Sequence, residues 1–388
     1  MTVLVLSNDV VPGFGVPVAA PGLRSGGIAA GLRSHGFDVE LVVPADVARL
    51  AGIEGSPAPA GTAVVELPEL MDHIGSTGVE TVVFTNANLT PHLRPQGNVS
   101  FVYDLFAPKM LERLASRTPE VSWDGLAEQK ERALALADAV WVNGRRKLGY
   151  ALAWMMRPGV EAHRNAMGKA SMFASDPASR VQLVEMPVLP MDGVATDVAS
   201  REDTDSRQCR IGIGGYAQLW STLPQIHPAH RALSNAGHEL HALLPQHWAA
   251  GDTPAPASVL PDTAVMTNGP LALEPFHGWV RSMDLMVDVF PKTAERRLAM
   301  ITRSAVALGW GVPVIHGVDS EVADIIREFD AGWVETSEDP NRWLAIAEEA
   351  SDPEIRAAKR AGALAASRAR FDPHAALAEA ADYLRTVS

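Results

Sequence analysis

The stretch Arg210-Ile211-Gly212-Ile213-Gly214-Gly215-Tyr216 ends an apolar run in closely spaced glycines. Glycine turns the backbone sharply and lets N–H groups come close to a phosphate, and a helix starting beyond the turn would add its positive end. A diphosphate fits such a turn, although strand ends of this kind also occur with no ligand. A charged constellation follows later: Lys292-Thr293-Ala294-Glu295-Arg296-Arg297, then Thr302-Arg303, then Gly309-Trp310-Gly311-Val312-Pro313-Val314-Ile315-His316-Gly317. It comes just after the apolar run Leu285–Phe290, so its charges gather at one rim of a sheet. There Glu295 can accept hydrogen bonds from sugar or ribose hydroxyls, and Lys292 or Arg303 can offset the charge that grows on a departing diphosphate. The plainer reading of the same residues is a solvated helix start, with Glu295 near the positive end of the dipole.

The first half carries a similar rim. Phe101-Val102-Tyr103-Asp104-Leu105-Phe106-Ala107-Pro108-Lys109 places Asp104 directly after a buried-looking strand, where it can orient or deprotonate an acceptor hydroxyl or cap the next helix. Gly13 and Gly15 follow the first strand, and Pro21-Gly22-Leu23-Arg24 opens a helix running to about His35. Two glycine-bearing strand ends, one per half, would face each other across a cleft if both sheets present their C-terminal edges to it. Neither loop has the Gly-x-Gly-x-x-Gly register of a dinucleotide fingerprint. His92, His227, His230, His241 and His247 lack metal-ligand spacing, so no metal is expected. Arg145-Arg146-Lys147 reads as a solvated helix start.

Elements able to position these residues are visible as short β-branched runs, each followed by a stretch of helical spacing, the pattern of βα units feeding a parallel sheet. Strands are expected at Val3–Ser7, Val39–Val43, Thr81–Thr85, Val99–Tyr103, Ala139–Asn143 and Val181–Val184, and again at Arg210–Ile213, Glu239–Leu244, Leu285–Phe290 and Val312–Ile315, with a weak candidate at Trp333-Val334. The expectation is an α/β protein of two Rossmann-like, doubly wound domains. The first spans 1–190, a Pro-, Asp- and Ser-rich linker spans 191–208, and the second spans 209–371. Residues 372–388 form a last helix that starts anew near Pro373. The Pro/Ala/Gly-rich stretch Gly52–Gly61 is a surface loop or a flap at the cleft.

At 388 residues the chain has material for two cores, and with 47% apolar residues and a mean hydropathy near zero it has no surplus for a membrane span. The opening Met1-Thr2-Val3-Leu4-Val5-Leu6-Ser7 reads as a first strand and not as a secretion signal. A single cysteine, Cys209, fits a reducing compartment, so the expected location is the cytoplasm. A net charge of −13 argues against nucleic acid as a partner.

In order and separation these motifs resemble the retaining GT-B glycosyltransferases that use nucleotide-diphosphate sugars, the large glycosyltransferase family 4-like group, with this chain a divergent member. The resemblance spans nearly the whole chain. It rests on Pro21-Gly22-Leu23-Arg24 with Gly36-Phe37-Asp38-Val39, on Tyr103-Asp104-Leu105-Phe106-Ala107-Pro108 with Leu111-Glu112, and on Asp138-Ala139-Val140-Trp141-Val142-Asn143-Gly144. In the second half it rests on Gly214-Gly215, the Glu295 loop, Thr302-Arg303 and Gly311-Val312-Pro313-Val314. The resemblance implies a donor nucleotide sugar held by the C-terminal domain, a small-molecule or lipid-linked acceptor held by the N-terminal one, no cofactor, no required metal, and a last helix crossing back to the first domain. It assigns Arg303, Lys292 and the Gly214-Gly215 amides to the leaving diphosphate, Glu295 to the donor sugar, and Thr302, His316, Gly317 and Asp319 to the donor side. Gly13, Gly15, Arg24 and Asp104 fall on the acceptor side. It admits peripheral contact with a membrane and a homodimer.

The sequence departs from the pattern at two places. Counting back from Gly311, the acid that holds the ribose hydroxyls in most relatives is replaced by Val306, and after Gly215 the usual Arg and Lys pair gives way to Gln218, Trp220 and Ser221. Val306 leaves open a catalytically silent partner of a true transferase; a nucleotide-sugar epimerase on the same fold is a more remote alternative, against which the lack of a rich His/Glu/Asp set around Gly311-Val312-Pro313 counts.

Overall fold

In a computed structural model, residues 1–116, 122–191, 208–215, 226–243, 264–267, 269–290, 292–336 and 339–387 are described. Gln218, Trp220 and Ser221 lie outside them, as do His247 and the side chain of His227. The chain divides into two units, one of Met1–Leu189 with Pro373–Ser388 and one of Pro190–Asp372.

In the first unit β1 (Thr2–Leu6), β2 (Asp38–Pro44), β3 (Thr62–Val65), β4 (Thr81–Phe84), β5 (Ser100–Leu105), β6 (Ala139–Val142) and β7 (Val181–Leu183) form one sheet in the order β3-β2-β1-β4-β5-β6-β7. Every pairing is parallel, with Val3 opposite both Val39 and Thr81. Parallel strands are covered on both faces, and the sequence shows it: all four residues of β4 and of β6 are buried. Phe84, Phe101 and Trp141 are among the largest fully buried side chains. The Ala20–Ser34 helix, with proline in its first turn, packs against the terminal Pro373–Val387 helix. That close approach depends on Gly31, where a Cβ would lie 2.4 Å from the Pro373 carbonyl oxygen.

In the second unit β8 (Arg210–Gly214), β9 (Glu239–Leu243), β10 (Val265–Met266), β11 (Leu285–Asp288), β12 (Val314–His316) and β13 (Gly332–Val334) form a sheet ordered β10-β9-β8-β11-β12-β13, again all parallel. Both sheets are doubly wound, as the alternation of runs implies. The two strands without a sequence signal, β3 and β10, are edge strands; β10 has only two residues, both exposed. Among the described residues no helix is long and apolar enough to cross a membrane.

Three local expectations are corrected. Asp104 does not follow β5 but lies within it, because a partner cation lets the buried strand continue through an acid. It caps no helix. Lys147, expected in solvent, is fully buried and donates from Nζ to the Phe106 carbonyl and Asn143 Oδ1.

Candidate functional site

The second sheet changes direction between β8 and β11: the chain leaves β8 for β9 and β10 on one side and returns to β11 on the other. Loops beyond such a pair part at the C-terminal ends of the strands, and the crevice between them is where open α/β sheets bind ligands. Gly215 directly follows β8, and Asp288 closes β11.

Gly215 has φ +105°, and a Cβ built on it would lie 2.3 Å from Cδ and 2.6 Å from Cγ of Arg303. The arginine stem therefore rests on the glycine backbone. Its guanidinium is held by Asp288, with Nη2 at 3.1 Å from Oδ1, and the side chain stays 20% exposed. The sequence reading gives the Gly214-Gly215 amides to a diphosphate. The Gly215 N–H is instead committed to the Leu243 carbonyl at 3.0 Å, inside the sheet ladder. What these glycines supply is room: Gly215 for Arg303, and Gly214 for the Trp279 ring, whose nearest carbon would lie 2.7 Å from an added Cβ.

Behind Asp288 lies a buried polar cluster. Ser304 Oγ donates to Asp288 Oδ2 at 2.8 Å and lies 2.7 Å from His316 Nδ1, while His316 Nε2 is 2.8 Å from Ser320 Oγ. Ser320 Oγ in turn accepts from the Ala323 N–H at 3.0 Å, capping the Glu321–Phe329 helix. Burial opposes the charge on Asp288, but Arg303 and His316, the Ser304 hydrogen bond and Arg296 together outweigh it and hold the carboxyl below its usual range. Burial is the main cause that pushes His316 down to about 4, with Arg296, Arg303 and Arg327 adding to it against the pull of Asp288. The imidazole is thus neutral at neutral pH and has no exposed surface, so it does not present itself to a donor as the sequence reading assigns it.

This shift gives folding stability a pH dependence. The unfolded ring protonates near pH 6.5 and the folded one near 4, so the stability is fully present above 6.5 and is lost as the pH falls toward 4. At 1.36 kcal/mol per pKa unit the loss is about 3 kcal/mol, and urea titrations from pH 7 to 4 should show a smaller slope for His316→Gln than for the natural chain.

Other residues of the charged constellation fall into place around this centre. Thr293 caps the short Ala294–Leu298 helix through the Arg296 N–H at 3.1 Å. Glu295, expected on the donor sugar, is 3% exposed and its Oε2 is 2.7 Å from Arg296 Nε. The Arg296 guanidinium also lies 5.5 Å from the centre of the Phe290 ring. Lys292 is exposed, and Thr302 opens the Thr302–Gly309 helix that carries Arg303. Gly317 gives space to Phe290, which would be 2.8 Å from an added Cβ, and its N–H donates to the Asp288 carbonyl at 3.1 Å. Asp319, at φ +63°, accepts from Arg297 at 2.9 Å on the surface. Val306 is buried in the helix face that packs inward.

In the first unit Arg24 and Asp104 form a pair with no exposed side-chain surface: Nε donates to Oδ2 at 2.7 Å and Nη2 to Oδ1 at 2.6 Å. Two of the three remaining guanidinium protons go to the carbonyls of Glu185 at 2.9 Å and Val184 at 3.1 Å. With both groups turned to each other, neither side chain is open to an acceptor. Gly13, at φ +103°, lies against Pro59, so the Gly52–Gly61 stretch touches the turn after β1, while Gly15 has open space around it.

Sequence reasoning passed over Asp288, Ser304 and Ser320. Their signal is present: an acid inside the apolar run Leu285-Met286-Val287-Asp288 must find a counter-charge when buried, and Thr302-Arg303-Ser304 offers a cation beside a hydroxyl.

No family model matches the chain, and no curated protein matches it. Among solved structures it is similar to sucrose-phosphate synthase from Thermosynechococcus elongatus, with a TM-score of 0.69 and 12% identity over 100% of this chain and 99% of that one. It is similar also to Anabaena HepE in complex with UDP and glucose, with a TM-score of 0.60 and 13% identity over 100% of both chains. WaaG, a glycosyltransferase involved in lipopolysaccharide biosynthesis, superposes with a TM-score of 0.56 and 13% identity over 99% of both chains. Likeness at these identities establishes the architecture: the chain is an α/β protein with the two Rossmann-like domains of the GT-B glycosyltransferase fold.

Proposed function

We propose that this chain is a retaining, metal-independent glycosyltransferase, moving a sugar from a nucleotide-diphosphate sugar to a small-molecule or lipid-linked acceptor in the cytoplasm. The observation that carries the reading is Arg303, held by Asp288 across Gly215 at the point where the strand order of the second sheet reverses. A guanidinium fixed at that position stabilises the charge that develops on a departing diphosphate, and it costs no reorganisation at the moment of reaction. Exposed Lys292 adds a second cation from the same rim. In this reading the bond from the sugar to the diphosphate breaks as the acceptor hydroxyl attacks the same face of the ring and passes its proton to the departing phosphate oxygen, and Arg303 and Lys292 serve where other transferases use an ion. HepE, which shares the fold, was solved with UDP and glucose, and this supports a nucleotide sugar as donor. Arg24 and Asp104, saturated by each other, take a positioning role beneath the acceptor side; the acceptor itself is left to the turn at Gly13 and Gly15.

Gly215→Ala tests the site locally. The added methyl displaces Arg303, and the affinity for UDP should fall about tenfold in a calorimetric titration, the loss expected from one charge-assisted contact. Undiminished affinity would separate Arg303 from the ligand.

The function itself is tested by thermal unfolding in the presence of nucleoside diphosphates and their sugars. At a hundred times Kd a ligand stabilises by about 2.7 kcal/mol, which raises Tm by about 5–10 °C for domains of this size. No shift with any of them at millimolar concentration would remove the reading. Two observations favour a second one: Val306 supplies no ribose acceptor, and the Glu295 carboxylate is engaged by Arg296. A chain that binds the diphosphate but consumes no sugar donor without a partner would be that silent member.

A further inference from the structure

We infer that a one-way chain of hydrogen bonds, running from the start of the Glu321–Phe329 helix through Ser320, His316 and Ser304 to Asp288, is the device that positions Arg303 for the diphosphate. The inference rests on the proposed diphosphate site and adds to it three residues that touch no ligand. Its direction follows from proton counting. An ionised carboxylate only accepts, so the single Ser304 proton goes to Asp288 Oδ2 at 2.8 Å. Ser304 Oγ must then accept from His316, 2.7 Å away, which places the imidazole proton on Nδ1. His316 Nε2 is left as an acceptor and takes the Ser320 proton at 2.8 Å. Ser320 Oγ, having given its proton, accepts the Ala323 N–H at 3.0 Å.

Each link of the chain has one direction only, and every side chain in it is buried, so reversing any single link would leave two protons or two lone pairs facing each other. Bonds aligned head to tail polarise one another, and the positive end of the helix feeds the series. The result is an Asp288 whose Oδ2 is fixed from behind and whose Oδ1 is aimed at Arg303 Nη2. Since Gly215 bounds the arginine stem on one side, the guanidinium is confined between the two. Ser304, His316 and Ser320 are positioning residues in this account. They act through Arg303 alone.

The test is a double-mutant cycle read by calorimetric titration of the full chain with UDP and, separately, inorganic pyrophosphate. Ser304→Ala should weaken binding about tenfold in the natural chain and less than twofold when Arg303→Gln is already present, because the chain then has nothing to position. Ser304→Thr, which keeps the hydroxyl, should restore binding to within about threefold. Equal factors in both backgrounds would reduce Ser304 to a packing residue and overturn the inference while leaving the diphosphate site standing. A natural chain that binds neither probe would overturn both together. Should Ser304→Ala fail to fold, the His316 pair decides: Asn keeps an N–H where Nδ1 was and should retain affinity, and Gln, which does not, should lose it. The reverse order would overturn the chain's direction.

Discussion

Turnover of a nucleotide-diphosphate sugar falls about 10²–10³-fold when Arg303 is replaced by glutamine, the loss typical of removing one preorganised donor from a developing negative charge. Glutamine is the substitution of choice because of Asp288. That carboxylate is 6% exposed, and alanine at 303 would remove both its paired guanidinium and the stem that fills the space beside Gly215, mixing lost folding with lost catalysis. Glutamine keeps the stem beside Gly215 and a polar end but stops two bonds short of the Nη2 that meets Asp288, so it removes the cation with the least loss of packing. Steady-state kinetics should therefore show a fall in kcat well beyond any change in Tm. Equal turnover in the two chains would mean that the guanidinium stabilises Asp288 and nothing else.

The largest stability effect falls in the other unit. Replacing Arg24 by methionine strands the Asp104 carboxylate, which has no exposed surface and accepts both of its side-chain hydrogen bonds from that guanidinium. Breaking a buried pair in this way costs about 3–5 kcal/mol. For a unit of this size the loss appears as a fall of about 10 °C in its calorimetric transition. Arg24→Met combined with Asp104→Leu should recover most of it, since apolar groups of similar volume often replace such a pair without loss. A cost below 1 kcal/mol for the single change would show that water reaches the pair. The pair matters for more than stability, because Arg24 also binds the carbonyls of Val184 and Glu185 and so ties the first long helix to the end of β5 and to the chain beyond β7.

Which parts of this were legible in the sequence follows from burial. Central strands such as Thr81–Phe84 are covered on both faces, so they stand out as unbroken apolar runs, and the two doubly wound sheets could be read from their spacing. Thr62–Val65 and Val265–Met266 pair on one side only and expose much of their surface, which leaves a pattern too short to mark a strand. Charged residues were harder, because type and spacing give the rim on which a group lies but not the direction in which it points. Asp104 and Glu295 occupy rims, yet each turns to an arginine, Arg24 and Arg296. Lys147 sits within a basic run that looks solvated and is instead drawn inward by the Phe106 carbonyl and Asn143. Gly215 reads in the sequence as a turn whose amides approach a phosphate, whereas its N–H is taken by the Leu243 carbonyl and a side chain lies against it. Its partner is an arginine side chain delivered by a helix far along the chain, and no local pattern announces that contact.

The central claim is that a diphosphate binds where Arg303 crosses Gly215, and a crystal structure of the chain soaked with UDP tests it most directly. The account predicts phosphate oxygens within about 3 Å of the Arg303 guanidinium, beyond the ends of β8 and β11. Diphosphate density elsewhere in the chain, with Arg303 and Asp288 still paired and untouched by it, would contradict the account.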